Sequence, residues 1–243
     1  MPAFTATLLP TGATVPPGPL PANPYGEASP IDTRERQRLD EQFALHTAPT
    51  LMRALRACDH TGAGPAGLRV LDIGPGQGAL AAHLAAMDSR PAELRLLEPH
   101  PGLLQAATER ARRAGIATRA CRGAIDQQPV PAALGGNDLV LCSFTLTHVA
   151  DLAAALRHAA AALRPGGLLV VCDVDYWISV VAGDAGADAV LTSIRRRLAV
   201  RHLAAHLPRL ALGQGLLPAD GLGCIDHRQP YVGRQAVQQQ ALG

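Results

Sequence analysis

Val70-Leu71-Asp72-Ile73-Gly74-Pro75-Gly76-Gln77-Gly78 is the stretch on which the reading of the fold turns. Upstream, Leu68–Ile73 is a short apolar run of strand length. Downstream, Gly78 to Met87 is rich in Ala and Leu and reads as a helix. Three glycines at alternate positions therefore fill a strand-to-helix turn. Glycine suits such a turn because the chain reverses sharply there and because a ligand can come closer to a backbone without Cβ.

The same alternation continues outward. Glu93–Glu98 reads as a second strand, and Gly102 to Ala114 as a helix closed by Gly115. Ala117–Cys121, Asp138–Ser143 and Leu168–Val174 read as strands three to five. The helix Ala150–Leu163, stopped by Pro165-Gly166-Gly167, precedes the last of them. Strands separated by helices of this length make right-handed βαβ units, so the fold class expected is α/β: a doubly wound, mainly parallel, Rossmann-like sheet. Ala185 to Leu207 reads as helical and Leu222–Ile225 as a candidate sixth strand.

Glu98 ends the second strand 20 residues after Gly78. An ionised carboxylate accepts hydrogen bonds only, and at that place it can take both hydroxyls of a ribose. A dinucleotide fingerprint would read G-x-G-x-x-G and present a helix N-terminus to a pyrophosphate. Here the spacing is G-x-G-x-G behind an acid, Asp72, which repels phosphate and suits a cationic amino group or a water bound to it. That favours S-adenosylmethionine (SAM) over a nicotinamide dinucleotide.

VLDIGPGQG (70–78), LLEPHPGLL (96–104), DLVLCSFTLTHV (138–149) and LRPGGLLVVCDVDYW (163–177), in this order and spacing, resemble the class I SAM-dependent methyltransferase superfamily. The resemblance covers about half the chain and implies a SAM-dependent enzyme. It implies that Asp72, Gly74, Gly76 and Gly78 hold the methionine part, that Glu98 binds the ribose, and that Pro99 or His100 lies against the adenine. Where the family often has an acid near the adenine amino group, this chain reads Gly123-Ala124-Ile125-Asp126, so the acid is displaced and Asp126 or Gln127 takes that role. Ser143 and Phe144 would lie under the sulfonium. Asn23-Pro24-Tyr25-Gly26 and the segment Glu35–Gln42 resemble the N-terminal lid of a branch that acts on small molecules, offset by one in register. Tyr25 would then either lay its ring on the sulfonium by cation–π attraction or pack a loop.

The domain organisation expected is a flexible arm and helical lid over 1–66 and a SAM-binding α/β domain over 67–243, with a helical cap insertion around 177–215. Within the lid, a helix starts near Asp32 or Thr33, Pro49 breaks it, and a second runs from Thr50 to Ala57. The family's closing antiparallel strands are hard to place in the 18 residues after Ile225. A short strand, an open edge or a second copy of the chain would each account for that, and a homodimer is the assembly considered.

Ligands of an open α/β sheet sit beyond the carboxyl ends of its strands. His148 is there a candidate general base or a histidine bonded to backbone. Asp175 and Tyr176, after strand five, are candidates to orient the acceptor, whereas Asp173 is out of phase and structural. The run Arg195-Arg196-Arg197 either meets an acidic substrate or forms a solvated helix face.

Composition bounds these readings. Apolar residues make up 48% of the 243, enough for a core without disulfides or metal. The five cysteines are odd in number and form no CxxC pair, which points to a reducing cytoplasm and no metal site. No apolar run reaches the roughly 18–20 residues of a membrane span, and Met1 to Pro21 lacks the basic start of a secretory signal. All 22 basic residues are arginine, which removes lysine Schiff-base chemistry. Net charge is +2, and no basic stripe is interleaved with aromatics, so neither nucleic acid nor membrane is the expected partner. The partner expected is a small-molecule substrate, or SAM alone. Methylation at N, O or C in secondary metabolism comes first. An intramolecular cyclase releasing methylthioadenosine, or a non-catalytic SAM-binding subunit, would use the same fold.

Overall fold

In the computed structural model the described residues are 33–58, 67–86, 91–175 and 202–217, together with 189, 191–193, 195, 196 and 200. Five strands, β1 (Arg69–Ile73), β2 (Glu93–Glu98), β3 (Thr118–Arg122), β4 (Asn137–Ser143) and β5 (Leu163–Cys172), form one sheet in the order β3-β2-β1-β4-β5, parallel throughout. The chain builds outward from β1 to β3, then crosses back to lay β4 on the other side of β1. That reversal opens a crevice above the carboxyl ends of β1 and β4.

Before the sheet come α1 (Thr33–Gln42) and α2 (Ala48–Cys58). Between its strands lie α3 (Ala79–Ala85), α4 (Pro101–Arg113) and α5 (Leu152–Ala161), and α6 (Leu203–Gly213) follows β5. Side chains alternate across a strand, so each strand feeds two cores. Val70, Leu94, Leu96, Leu139, Leu141 and Val170 face α2, α3 and α4. Leu71, Ile73, Leu97, Val140 and Cys142 face α5 and α6. The same alternation puts Asp72, Glu98 and Ser143 on the first face, at its carboxyl end.

Three expectations are corrected. Pro49 does not break the N-terminal helix. Residues Phe43–Thr47 widen into a π-helical turn in which the Ala48 N–H reaches back to the Phe43 carbonyl, and α2 follows directly with Pro49 in its first turn. A widened turn accommodates a proline ring and its missing N–H more readily than a regular one. Secondly, α2 does not sit in the lid. Leu51, Ala54 and Leu55 are fully buried and Cys58 is buried, and all four belong to the core beneath β4 and β5. α2 thus packs its apolar side against the sheet. Replacing Leu51 with Ala is expected to cost about 2–5 kcal/mol in urea denaturation; a loss below about 1 kcal/mol would show that α2 is not a core helix.

Thirdly, β5 begins at Leu163, five residues early, and runs through Arg164-Pro165-Gly166-Gly167. The pairing jumps from Asn137↔Leu163 to Leu139↔Leu168, so a bulge absorbs the proline and the glycines. The helix expected over 185–207 is described in pieces up to residue 196, and α6 is a separate helix. The candidate strand Leu222–Ile225 lies outside the described residues. Among them, no helix is long and apolar enough to cross a membrane.

Candidate functional site

The loop Gly74–Gly78 lies above the crevice, and each glycine is there for a different reason. All three have positive φ: 69° at Gly74, 54° at Gly76 and 82° at Gly78. A Cβ on Gly74 would stand 2.5 Å from Thr145 Oγ1, and one on Gly78 would stand 2.9 Å from the Ala107 Cα of α4. These two glycines let protein pack against protein. A Cβ on Gly76 would meet nothing within 4 Å. The backbone at Gly76 is thus the part left open to a ligand, and a cradle of this kind fits an adenosyl amino acid. The Gly74 N–H donates to the Leu97 carbonyl at 2.9 Å, tying the loop to β2.

Two acids flank the loop. Asp72 and Glu98 are 3% and 5% exposed. Burial pushes the Glu98 carboxyl up to about 7, against the pull of the His100 and Gly76 backbone N–H groups; the former donates to Oε1 at 3.0 Å. Burial, followed by the neighbouring Glu98, pushes Asp72 up to about 8. Desolvation and a like charge both disfavour ionisation, so the pair holds protons near neutral pH. Beside it, His100 caps α4, its Nδ1 accepting the Leu103 N–H at 3.3 Å. Pro99 is exposed, and its carbonyl accepts from Arg122 Nε at 3.0 Å.

The N-terminal helix spans this site. From α1, Arg36 Nε donates to Gln77 Oε1 of the loop at 2.5 Å. Asp40 takes both Nη groups of Arg110 on α4, at 2.8 and 2.6 Å. From the π turn, Phe43 packs its ring 5.8 Å from that of His83 on α3. Thr47, fully buried, holds its hydroxyl 2.7 Å from that of Ser143. The Cys172 thiol donates to the His46 carbonyl at 3.4 Å, and the His46 ring stands edge-on to Phe144, 6.1 Å between centroids. Phe144 has φ 51°, a region costly for an aromatic residue, and such strain gathers at functional sites.

The residues singled out beforehand fall into three groups. Asp72, Gly74, Gly76, Gly78, Glu98 and Ser143 converge at the carboxyl ends of β1, β2 and β4. Others have structural partners. Asp126 Oδ2 accepts from Ala150 N at 2.7 Å and so braces the turn before α5. Asp175 Oδ2 accepts from Ala204 N at 2.9 Å and caps α6. Asp173 takes the N–H groups of Leu146, Thr147 and Val174 and the Thr147 hydroxyl. His148 is exposed at the end of the 3-10 turn Leu146–His148. Tyr25, Tyr176 and Arg197 lie outside the described residues.

Sequence reading passed over Arg36, Gln77, His46, Thr47 and Thr145. Gln77 occupies a variable position of its motif, and Thr47 meets Ser143 across 96 residues. The one signal that could have pointed to Thr145 is the need for something to crowd Gly74.

The profile of a family described as a methyltransferase domain matches residues 71–171. A ubiquinone biosynthesis O-methyltransferase of Methylobacterium sp. (strain 4-46) is 33% identical over 193 residues, 73% of this chain and 73% of its own length. One of Azorhizobium caulinodans is 32% identical over 131 residues, and the match spans 50% of its length. Among solved structures, Haemonchus contortus phosphoethanolamine N-methyltransferase 2, bound to phosphomonomethylethanolamine and S-adenosylhomocysteine, aligns with a TM-score of 0.51 at 18% identity, over 76% of this chain and 42% of that one. This last likeness is one of fold.

Proposed function

The chain belongs to the class I SAM-dependent methyltransferases, and from that premise we propose that it methylates a small hydroxylated organic molecule on oxygen. What carries the reading is the covering helix. One segment of the chain reaches the glycine loop through Arg36 and the end of β4 through Thr47, so the groove is roofed by its own chain as suits a small acceptor rather than a polymer. The Methylobacterium relative, matched over 73% of both lengths, is named an O-methyltransferase, which supports oxygen as the acceptor atom.

SAM supplies a methyl group already activated on sulfur, so the protein's share of the work is alignment and proton handling. Glu98 would hold the ribose hydroxyls, and Asp72 the ammonium of the amino-acid end. Ser143, fixed by Thr47, would line the reacting end. His46 lies at the mouth against Phe144, on a turn that also carries the exposed Leu45. Its imidazole is one candidate to take a hydroxyl proton, with His148 the other, since Asp175 accepts from the Ala204 N–H of α6.

Incubation with SAM and a panel of phenols that includes 3,4-dihydroxybenzoate, read by mass spectrometry, tests this. The expected products are S-adenosylhomocysteine and a monomethyl ether. Methylthioadenosine as the nucleoside product would replace transfer by attack on the aminobutyrate chain. Methylation of amines in place of phenols would overturn the acceptor class.

A further inference from the structure

Polar groups from β4, β5 and the π turn meet beside the first glycine of the loop. Ile73 of β1 pairs with Cys142 of β4, so Ser143 is the β4 residue beside Gly74. Cys172 of β5 is its partner on the other side. The π turn brings up Thr47, which has no exposed surface, and the His46 carbonyl. The Thr47 and Ser143 hydroxyls are 2.7 Å apart, and either could donate. Their neighbours decide which does. The His46 carbonyl can only accept, so the Cys172 thiol uses its one proton there, at 3.4 Å. Its sulfur is then left to accept, and the Thr47 hydroxyl bonds that sulfur. With the Thr47 proton on sulfur, the Thr47 oxygen accepts from Ser143. The reverse order would leave the sulfur and the buried Thr47 oxygen without a donor among the described residues. The chain of donors thus runs one way, from Ser143 through Thr47 and Cys172 to the His46 carbonyl, and each bond polarises the next.

Ser143 is half-buried and lies on the face of the sheet that carries Asp72 and Glu98. With its proton turned into the protein, it offers the crevice lone pairs only. We propose that Cys172 and Thr47 are positioning residues that hold Ser143 in this sense, so that its oxygen faces the reacting sulfur and tells a sulfonium from a thioether. A lone pair is attracted by the sulfonium charge and by the methyl hydrogens which that charge polarises. When the methyl group leaves for the acceptor, its bonding electrons stay on sulfur as a lone pair. The sulfur is then neutral, and the same oxygen no longer holds it. The chain therefore favours the cofactor before transfer over the product after it. The inference rests on SAM being the cofactor and does not depend on which acceptor is methylated.

Isothermal titration of the full chain with SAM and with S-adenosylhomocysteine, which differ only in the methyl group and its charge, tests it. Cys172→Ala takes away the partner of the Thr47 proton, which then turns to Ser143 and sends the Ser143 proton into the crevice. The Kd for SAM is expected to rise roughly 3- to 10-fold while that for S-adenosylhomocysteine stays within about twofold. Cys172→Ser keeps a donor and an acceptor in place and should restore SAM binding to within about twofold of the unaltered protein. Ser143→Ala should lose as much as Cys172→Ala, and the double variant no more than either, because both act through one oxygen. Equal weakening of the two ligands by Cys172→Ala would overturn the proposal, since the thiol would then merely brace the turn. Unchanged SAM binding in that variant, or additive losses in the double variant, would overturn it too. S-adenosylhomocysteine binding also reports that each variant has folded. If the unaltered protein binds neither compound, the cofactor assignment itself fails and the proposal falls with it.

Discussion

Affinity for S-adenosylhomocysteine is expected to rise roughly 10- to 100-fold between about pH 6 and pH 8.5, in step with the loss of protons from Glu98 and Asp72. Both carboxyls are raised, to about 7 and about 8, so each is largely neutral at the lower pH. A neutral carboxyl donates one hydrogen bond where the ionised form accepts several, and it offers an ammonium no charge. The groups that act on the pair are acidic or neutral: the two carboxyls themselves and the Gly76 and His100 N–H groups. Stability runs the other way. A carboxyl whose folded pKa exceeds its unfolded value favours folding at low pH, and that contribution is lost as pH rises from about 4 through the folded value. The unliganded protein should thus be weakened by this pair at pH 8.5, and Asp72→Asn should raise its Tm there while weakening cofactor binding. The gain should shrink as pH falls toward about 4. Calorimetry and thermal unfolding across that range check both signs. A pH-independent Kd, or a variant that loses Tm at pH 8.5, would refute the account.

The second large effect separates two glycines of one loop. Gly78→Ala is expected to cost about 3 kcal/mol or more in folding stability, since the new Cβ meets the α4 backbone 2.9 Å away at a φ of 82°. Gly76→Ala should cost only about 1 kcal/mol, from its positive φ alone, because nothing in the protein stands within 4 Å. Its damage should appear in the ligand instead, as a Kd for S-adenosylhomocysteine raised at least about 30-fold by a methyl group in the cradle. Denaturation curves and titrations on the pair give a crossed pattern. If both variants lost stability equally, Gly76 would be a packing position like its neighbour.

The contrast marks what a sequence makes legible. The strand–loop–helix unit and the acid ending β2 could be read because they are local: period-two apolar residues, glycines at fixed offsets, and an acid 20 residues on. Glu93–Glu98 agrees with its expected bounds to the residue. The start of β5 was hidden because Pro165-Gly166-Gly167 looks like a stop, and only the pairing with Asn137 shows a bulge. The roles of Asp175 and Asp126 were hidden for another reason. A carboxylate that caps a helix and one that meets substrate look alike in one dimension, and their partners, Ala204 and Ala150, lie 29 and 24 residues away. Arg36 and Thr47 were unreadable in the same sense, since their meaning lies in Gln77 and Ser143.

The burial of α2 beneath β4 and β5 also bears on how the chain comes off the ribosome. Leu51 and Leu55 cannot find Leu139 and Leu141 until more than eighty further residues have been made, nor Val170 until more than a hundred. At about 5–20 residues per second that leaves a greasy stripe waiting for roughly 6 to 20 seconds. Nascent chains of this protein should therefore be captured by holdase chaperones over that window and released once β5 has emerged.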